Sequence, residues 1–103
     1  MMKLVVAPEA AAQIVARKHW WRANRSKALD RFDEELATAL TAISERPESF
    51  PVFSARGGRT VRRCLLVKTR CHLYFEVLRE TGEVWVTAAR GAVQRRPPKL
   101  APR

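Results

Sequence analysis

Three runs in the second half of the chain pattern apolar residues as strands do. They are Val61-Arg-Arg-Cys-Leu-Leu-Val67, His72-Leu-Tyr-Phe-Glu-Val-Leu78 and Glu83-Val-Trp-Val-Thr-Ala-Ala-Arg90. Each is short and rich in β-branched or aromatic residues, and short polar segments, 68–71 and 79–82, separate them. This predicts a three-stranded antiparallel meander. In the middle run Leu73, Phe75 and Val77 alternate with His72, Tyr74, Glu76 and Leu78. The first set is cleanly apolar and is assigned to the core, which leaves Tyr74 and Glu76 facing solvent or a partner. Such a sheet needs a cover to be stable.

The first half supplies one. Residues 3–7 form an apolar run predicted as a strand, closed by Pro8, which suits the first turn of a helix. That helix runs to about Arg22, with Glu9 at its positive end and a modest apolar face from Ile14, Val15, Lys18 and Trp20 or Trp21. Segment 24–26 breaks the pattern, and Ser26 is a candidate N-cap. Leu29, Phe32, Leu36, Leu40 and Ile43 then recur at steps of three and four, a clear amphipathic stripe that Pro47 ends. Two helices joined by a short turn predict an antiparallel hairpin laid across one sheet face. Residues 48–53 read as a connection with Phe50, Val52 and Phe53 docked on the core edge, and Arg56-Gly-Gly-Arg-Thr60 as a flexible basic loop.

The predicted fold class is therefore α+β, with an N-terminal strand, a helical hairpin and the meander. At 103 residues the chain fits one domain, spanning 1–93. Residues 94–103 are basic and proline-rich and read as an extended, flexible tail.

Charge changes this picture. The formal net charge is +10, and it is lopsided: residues 1–55 carry 8 basic and 7 acidic side chains, residues 56–103 carry 12 and 3. Nearly all the excess lies on the sheet and tail, which favours a polyanionic partner. Arg59, Arg62, Arg63, Lys68, Arg70 and Arg90 all fall on predicted strands or their loops, and guanidinium groups bind phosphates and carboxylates through paired donors. If Arg63 shares the buried face with Leu65, Arg62 points outward. No apolar run reaches a membrane span, residues 1–7 are too short for a secretory signal, and the two cysteines fit a cytoplasmic chain with reduced thiols.

Other candidate chemistry is sparse. Cys64, Cys71 and His72 lack zinc spacing, so no metal is expected. His72 could exchange protons, but no orienting carboxylate stands near it in sequence. His19 reads as a helix-surface residue. Trp20 and Trp21 are assigned to packing rather than base stacking, and Trp85 alternates with Val84 and Val86, so either it or they face the core.

Several segments, in order, resemble the ParE/RelE superfamily of type II toxin–antitoxin toxins. They are Leu4-Val-Val-Ala-Pro-Glu-Ala10, Ala28-Leu-Asp-Arg-Phe-Asp-Glu-Glu-Leu36, Ile43-Ser-Glu-Arg-Pro-Glu48, Val61-Arg-Arg-Cys-Leu-Leu66, Leu73-Tyr-Phe-Glu-Val77 and Val86-Thr-Ala-Ala-Arg-Gly91. The long second helix with its acidic face resembles the ParE branch more closely. The resemblance implies a RelE/ParE-like fold and a growth-inhibiting toxin of a plasmid-stabilisation type. It also implies neutralisation by a cognate antitoxin and inhibition of DNA gyrase by binding, with no cofactor and no catalytic residue. The alternative it implies is a RelE-like, ribosome-dependent mRNA endoribonuclease. There Arg62, Arg63 and Arg90 would hold phosphate and His72 or a lysine would move protons. RelE-like ribonucleases often carry a C-terminal tyrosine. Tyr74 is the single tyrosine here and lies in mid-strand, which favours the binding inhibitor.

Overall fold

A computed structural model describes residues 1–25, 28 and 30–92. The order is β1 (Lys3–Val6), α1 (Pro8–Asn24), α2 (Arg31–Glu45), a 3-10 turn at Pro47–Ser49, β2 (Val52–Arg56), β3 (Arg59–Leu66), β4 (Cys71–Leu78) and β5 (Glu83–Gly91). The five strands form one sheet in the order β1-β5-β4-β3-β2, with β1 parallel to β5 and every other pair antiparallel. The α+β class, the N-terminal strand on the sheet edge and the meander agree with expectation. The candidate cap Ser26, Leu29 of the stripe and the tail at 94–103 lie outside the described residues.

The helices share one face of the sheet. Phe32 and Ile43 of α2 and Ala10 and Trp21 of α1 are buried with Cys64, Leu66, Leu73, Phe75, Val84 and Val86. Leu36 and Leu40 pack against that cluster, so the stripe read at helical spacing is the one α2 buries. Val84 and Val86 take the core, and Trp85 lies half-buried on the other side. The weak face of α1 leaves Val15 and Trp20 exposed. Lys18 of α1 pairs with Asp33 of α2 at 3.3 Å, and Trp21 Nε1 donates to Ala28 O, in the segment between the helices, at 2.7 Å. Among the described residues, no helix is long and apolar enough to cross a membrane.

Three expectations fail here for one reason. Residues 52–56 form a strand, β2, and not a connection. Gly57 and Gly58, both at positive φ (57° and 75°), make the two-residue turn into β3, so the supposed flexible loop is a tight hairpin turn. Positive φ at both central positions costs glycine nothing and costs other residues strain. With β2 added, β3 becomes an interior strand and Phe53 of β2 reaches the open face of β4. Tyr74 and Glu76, expected to face solvent or a partner, are 4% and 1% exposed. The Phe53 ring stands edge-on to Tyr74 at 4.9 Å between centroids, and Arg59 spans Glu76.

One carboxylate fixes the β3–β4 turn. Glu35 of α2 accepts from Lys68 N (2.8 Å), Thr69 N (2.9 Å) and Thr69 Oγ1 (2.6 Å). Burial alone would raise its pKa, but the Thr69 hydroxyl and the two backbone donors outweigh that and hold it below the ordinary 4.5. Stability from such a group is present above the unfolded carboxyl's pKa and lost as pH falls through the folded one. Glu35→Gln is therefore expected to lower stability by about 1–2 kcal/mol at pH 7. The gap to wild type should close below the ordinary carboxyl range, as thermal melts across pH 3–7 would register (range chosen around the carboxyl pKa of about 4). A gap constant over that range would refute the assignment.

Candidate functional site: the open face of the sheet

The face away from the helices is built by strand parity. On β3 the core takes Cys64 and Leu66, so Val61, Arg63 and Leu65 point to the open face. On β4 the open-face set is His72, Tyr74 and Glu76. Arg63 sits directly opposite Tyr74 and Leu65 opposite His72. On β5 the pairing shifts between Tyr74 and Phe75: Glu76 faces Trp85, but Tyr74 faces Ala88 and His72 faces Arg90. Thr87 is the extra residue of this bulge. Unshifted pairing would put Arg90 on the helical side. The bulge turns it to the open face beside His72.

The result is a compact polar cluster on an apolar floor. Val61, Tyr74 and Ala88 form a second buried cluster beneath it. The Phe53 ring lies over Tyr74, and the Arg63 guanidinium lies 5.1 Å from the Phe53 centroid. The His72 ring meets Tyr74 edge-on at 6.0 Å. Directly opposed residues on paired strands bring their Cβ atoms to about 5 Å, so the His72 and Arg90 side chains share one patch. Burial first, then the charges of Arg63 and Arg70, push the His72 pKa below its ordinary 6.5. The imidazole is thus neutral at pH 7 and able to accept a proton, with cationic donors around it.

The six candidate basic residues do not act as one group. Arg63 and Arg90 reach the open face with His72. Arg70, exposed and in the left-handed region at φ 56°, adds charge from the turn. Arg59 lies on the same face but is engaged by Glu76 through its Nε (3.0 Å) and Nη2. Lys68 sits in the turn that Glu35 holds. Arg62 would have pointed outward had Arg63 turned inward with Leu65, and the opposite phase is found. Its parity is that of Cys64, and its Nη1 donates to Phe50 O at 2.8 Å, tying the 3-10 turn to β3. Arg63 is the outward member of the pair. Arg62→Ala is expected to lower stability by about 1 kcal/mol and to leave the open face unchanged, checked by a denaturant melt beside an oligonucleotide-binding titration. A binding defect without a melt shift would reassign it.

Tyr74 and Phe53 were not singled out in sequence as site residues. Both help to shape the cluster, and the Gly57-Gly58 pair was the available signal for the strand that brings Phe53 in. Cys64 and Cys71 are buried free thiols, and burial pushes Cys71 up to about 11, which removes it from thiolate chemistry at neutral pH.

No family model and no curated protein matches the sequence. Solved structures do match. The isolated E. coli RelE toxin superimposes with a TM-score of 0.60 at 19% identity, covering 91% of this chain and 87% of that one. The chain has the RelE fold. The intact E. coli RelBE toxin–antitoxin complex gives a TM-score of 0.58 at 21% identity, covering 91% of this chain and 100% of the matched one. With the RelE-type fold in place, the open face is the sheet surface that neither helix covers.

Proposed function

We propose that this protein is the toxin of a type II toxin–antitoxin module and that it cleaves RNA at the open sheet face. The observation that carries this reading is the register that sets His72 opposite Arg90 on the open face, with Arg63 beside it opposite Tyr74. In the reaction the substrate's 2′-hydroxyl loses its proton to His72 and attacks the adjacent phosphorus. The bond to the 5′-oxygen breaks, and that oxygen takes a proton from water at the open face. Arg63 and Arg90 stabilise the charge that builds on the phosphoryl oxygens. No metal or cofactor enters these steps.

This inverts the sequence-based preference. Binding inhibition of DNA gyrase was favoured because no proton-transfer group stood out. The pairing of His72 with Arg90 supports a proton-transfer role for His72, and both structural neighbours bear the RelE name, so we place RNA cleavage ahead of gyrase inhibition. In keeping with the RelE fold, the proposed substrate is mRNA engaged on the ribosome. The proposed regulator is a cognate antitoxin whose acidic segment meets the basic sheet half.

Induced expression in a bacterial host tests the proposal through two readouts. Mapped mRNA ends should show new cuts within translated regions, with plasmid supercoiling unchanged. Loss of supercoiling with intact mRNA would overturn it in favour of gyrase inhibition.

A further inference from the structure

A second surface, away from His72, combines the same charge with an exposed aromatic ring. Between α1 and the end of β5 lies a groove of roughly 530 Å³, lined by Gln13, Ala16, Arg17, Trp20, Ala89 and Arg90, with Gly91 at its end. Gln13 Oε1 accepts from Ala89 N at 2.8 Å, so the helix is fixed to the strand beyond the end of β1. Arg17 is anchored: its Nη2 donates to Thr69 O at 2.9 Å, and its guanidinium lies 4.4 Å from the Trp20 ring centroid. A methyl group at Gly91 would meet Arg17 Nη1 at 3.6 Å, so the guanidinium lies close against that backbone. Arg17 Nε is buried without a hydrogen-bond partner among the described residues. Trp20 is 42% exposed, and Arg25 rests over it only loosely, at 5.7 Å. Among the described residues, no carboxylate lines the groove.

We propose that this groove is a second RNA subsite, in which Trp20 stacks on one base of a single strand and Arg17 holds its phosphate. The inference rests on the reading of the protein as an RNA-cleaving toxin. Arg90 makes the two sites continuous, because it faces His72 across the β4–β5 ladder and also lines the groove. A strand lying over His72 passes Arg90 and enters between α1 and β5. The base takes the place of Arg25 over the indole and gains a full stacking contact for a distant cation–π one. A flat ring with cationic groups around it and no carboxylate fits a nucleotide better than an acidic peptide, which offers no ring to stack. Stacking has no sequence preference, so the subsite sets how much flanking RNA the toxin grips rather than which base it cuts.

The test uses the full chain and a 2′-O-methyl oligouridylate, which lacks the attacking hydroxyl and stays intact. Trp20→Ala should weaken its binding about tenfold, and Trp20→Phe should keep it within about threefold of wild type. Arg17→Met should flatten the dependence of log affinity on log salt by about 0.7, as loss of one single-strand phosphate contact requires. Trp20 is exposed, so Trp20→Ala keeps the test valid even if Arg17→Met fails to fold. Equal binding by wild type and Trp20→Ala overturns the proposal. So does an absence of oligonucleotide binding, or a groove that takes polyglutamate in its place. Trp20-dependent binding in a wild-type protein that cuts no RNA would uphold the groove and reject the cleavage reading, so the two can fail separately.

Discussion

His72→Ala is expected to lower the rate of RNA cleavage by about 10²–10⁴-fold, the usual worth of a positioned general base. The loss should fall on kcat, because the imidazole acts on the 2′-hydroxyl in the transition state rather than on bound RNA. His72→Gln keeps the side chain's bulk beside Tyr74 and should fold as wild type, yet remain as inactive as the alanine variant. The pH profile supplies an independent check. The imidazole must be neutral to accept a proton, and its pKa lies below the ordinary 6.5. The wild-type rate should be flat at neutral pH and fall only on the acid side of that value, with one proton taken up. His72→Gln should lose that acid limb. Stability follows the same sign: an unfolded chain binds the proton more readily than the folded one, so the His72 contribution declines as pH drops below 6.5. Wild-type cutting by His72→Gln would remove the imidazole from the mechanism. Arg63→Ala should cost about 10²-fold by withdrawing charge stabilisation, and oligonucleotide binding should weaken far less.

How much of this was legible in the sequence depends on which strand is asked. The α2 stripe and the Leu73, Phe75 and Val77 face were readable because their periods are unbroken. β2 was not, because its exposed Val52-Phe-Ser-Ala-Arg56 has a bulge at Phe53 and little alternation. The Gly57-Gly58 pair was the available signal, read as flexibility when two adjacent positive-φ glycines make a hairpin turn. Missing that strand hid the burial of Tyr74 and Glu76. The Arg62 and Arg63 assignment turned on parity alone. Leu65 and Leu66 are both apolar, so the sequence offered both phases, and the core chose Leu66. Arg90 was named as a candidate, but its place beside His72 was beyond reach for a further reason. It shares a face with His72 only through the bulge at Thr87, and a bulge leaves no mark on hydrophobic period. The pairing that makes His72 a credible base is therefore a property of register, which single-strand patterns do not carry.

Register also divides the basic residues into those engaged within the fold and those on the open face proposed to hold phosphate, and Arg59 gives the sharpest contrast. Glu76 is 1% exposed, and Arg59 meets it with two parallel donors. Arg59→Ala should lower stability by about 3 kcal/mol, the low end for breaking a buried pair, because the guanidinium is itself about one-third exposed (32%). In a chain of this size that corresponds to a fall in Tm of about 10–20 °C. Replacing both members, Arg59→Met with Glu76→Leu, should recover most of the loss. The desolvation cost of Glu76 goes with its charge, and an apolar pair fills the space beside Val61 and Tyr74. Residual cleavage by the double variant should stay near wild type, since neither group reaches the substrate. Arg63→Ala should show the opposite: a near-normal melt with impaired cutting. If Arg59→Ala melted as wild type and lost RNA binding instead, the Glu76 contact would be incidental and Arg59 would join Arg63 and Arg90 as a phosphate ligand. The bidentate geometry argues against that outcome, because a guanidinium already satisfied by a carboxylate must give up that pairing before it can hold RNA.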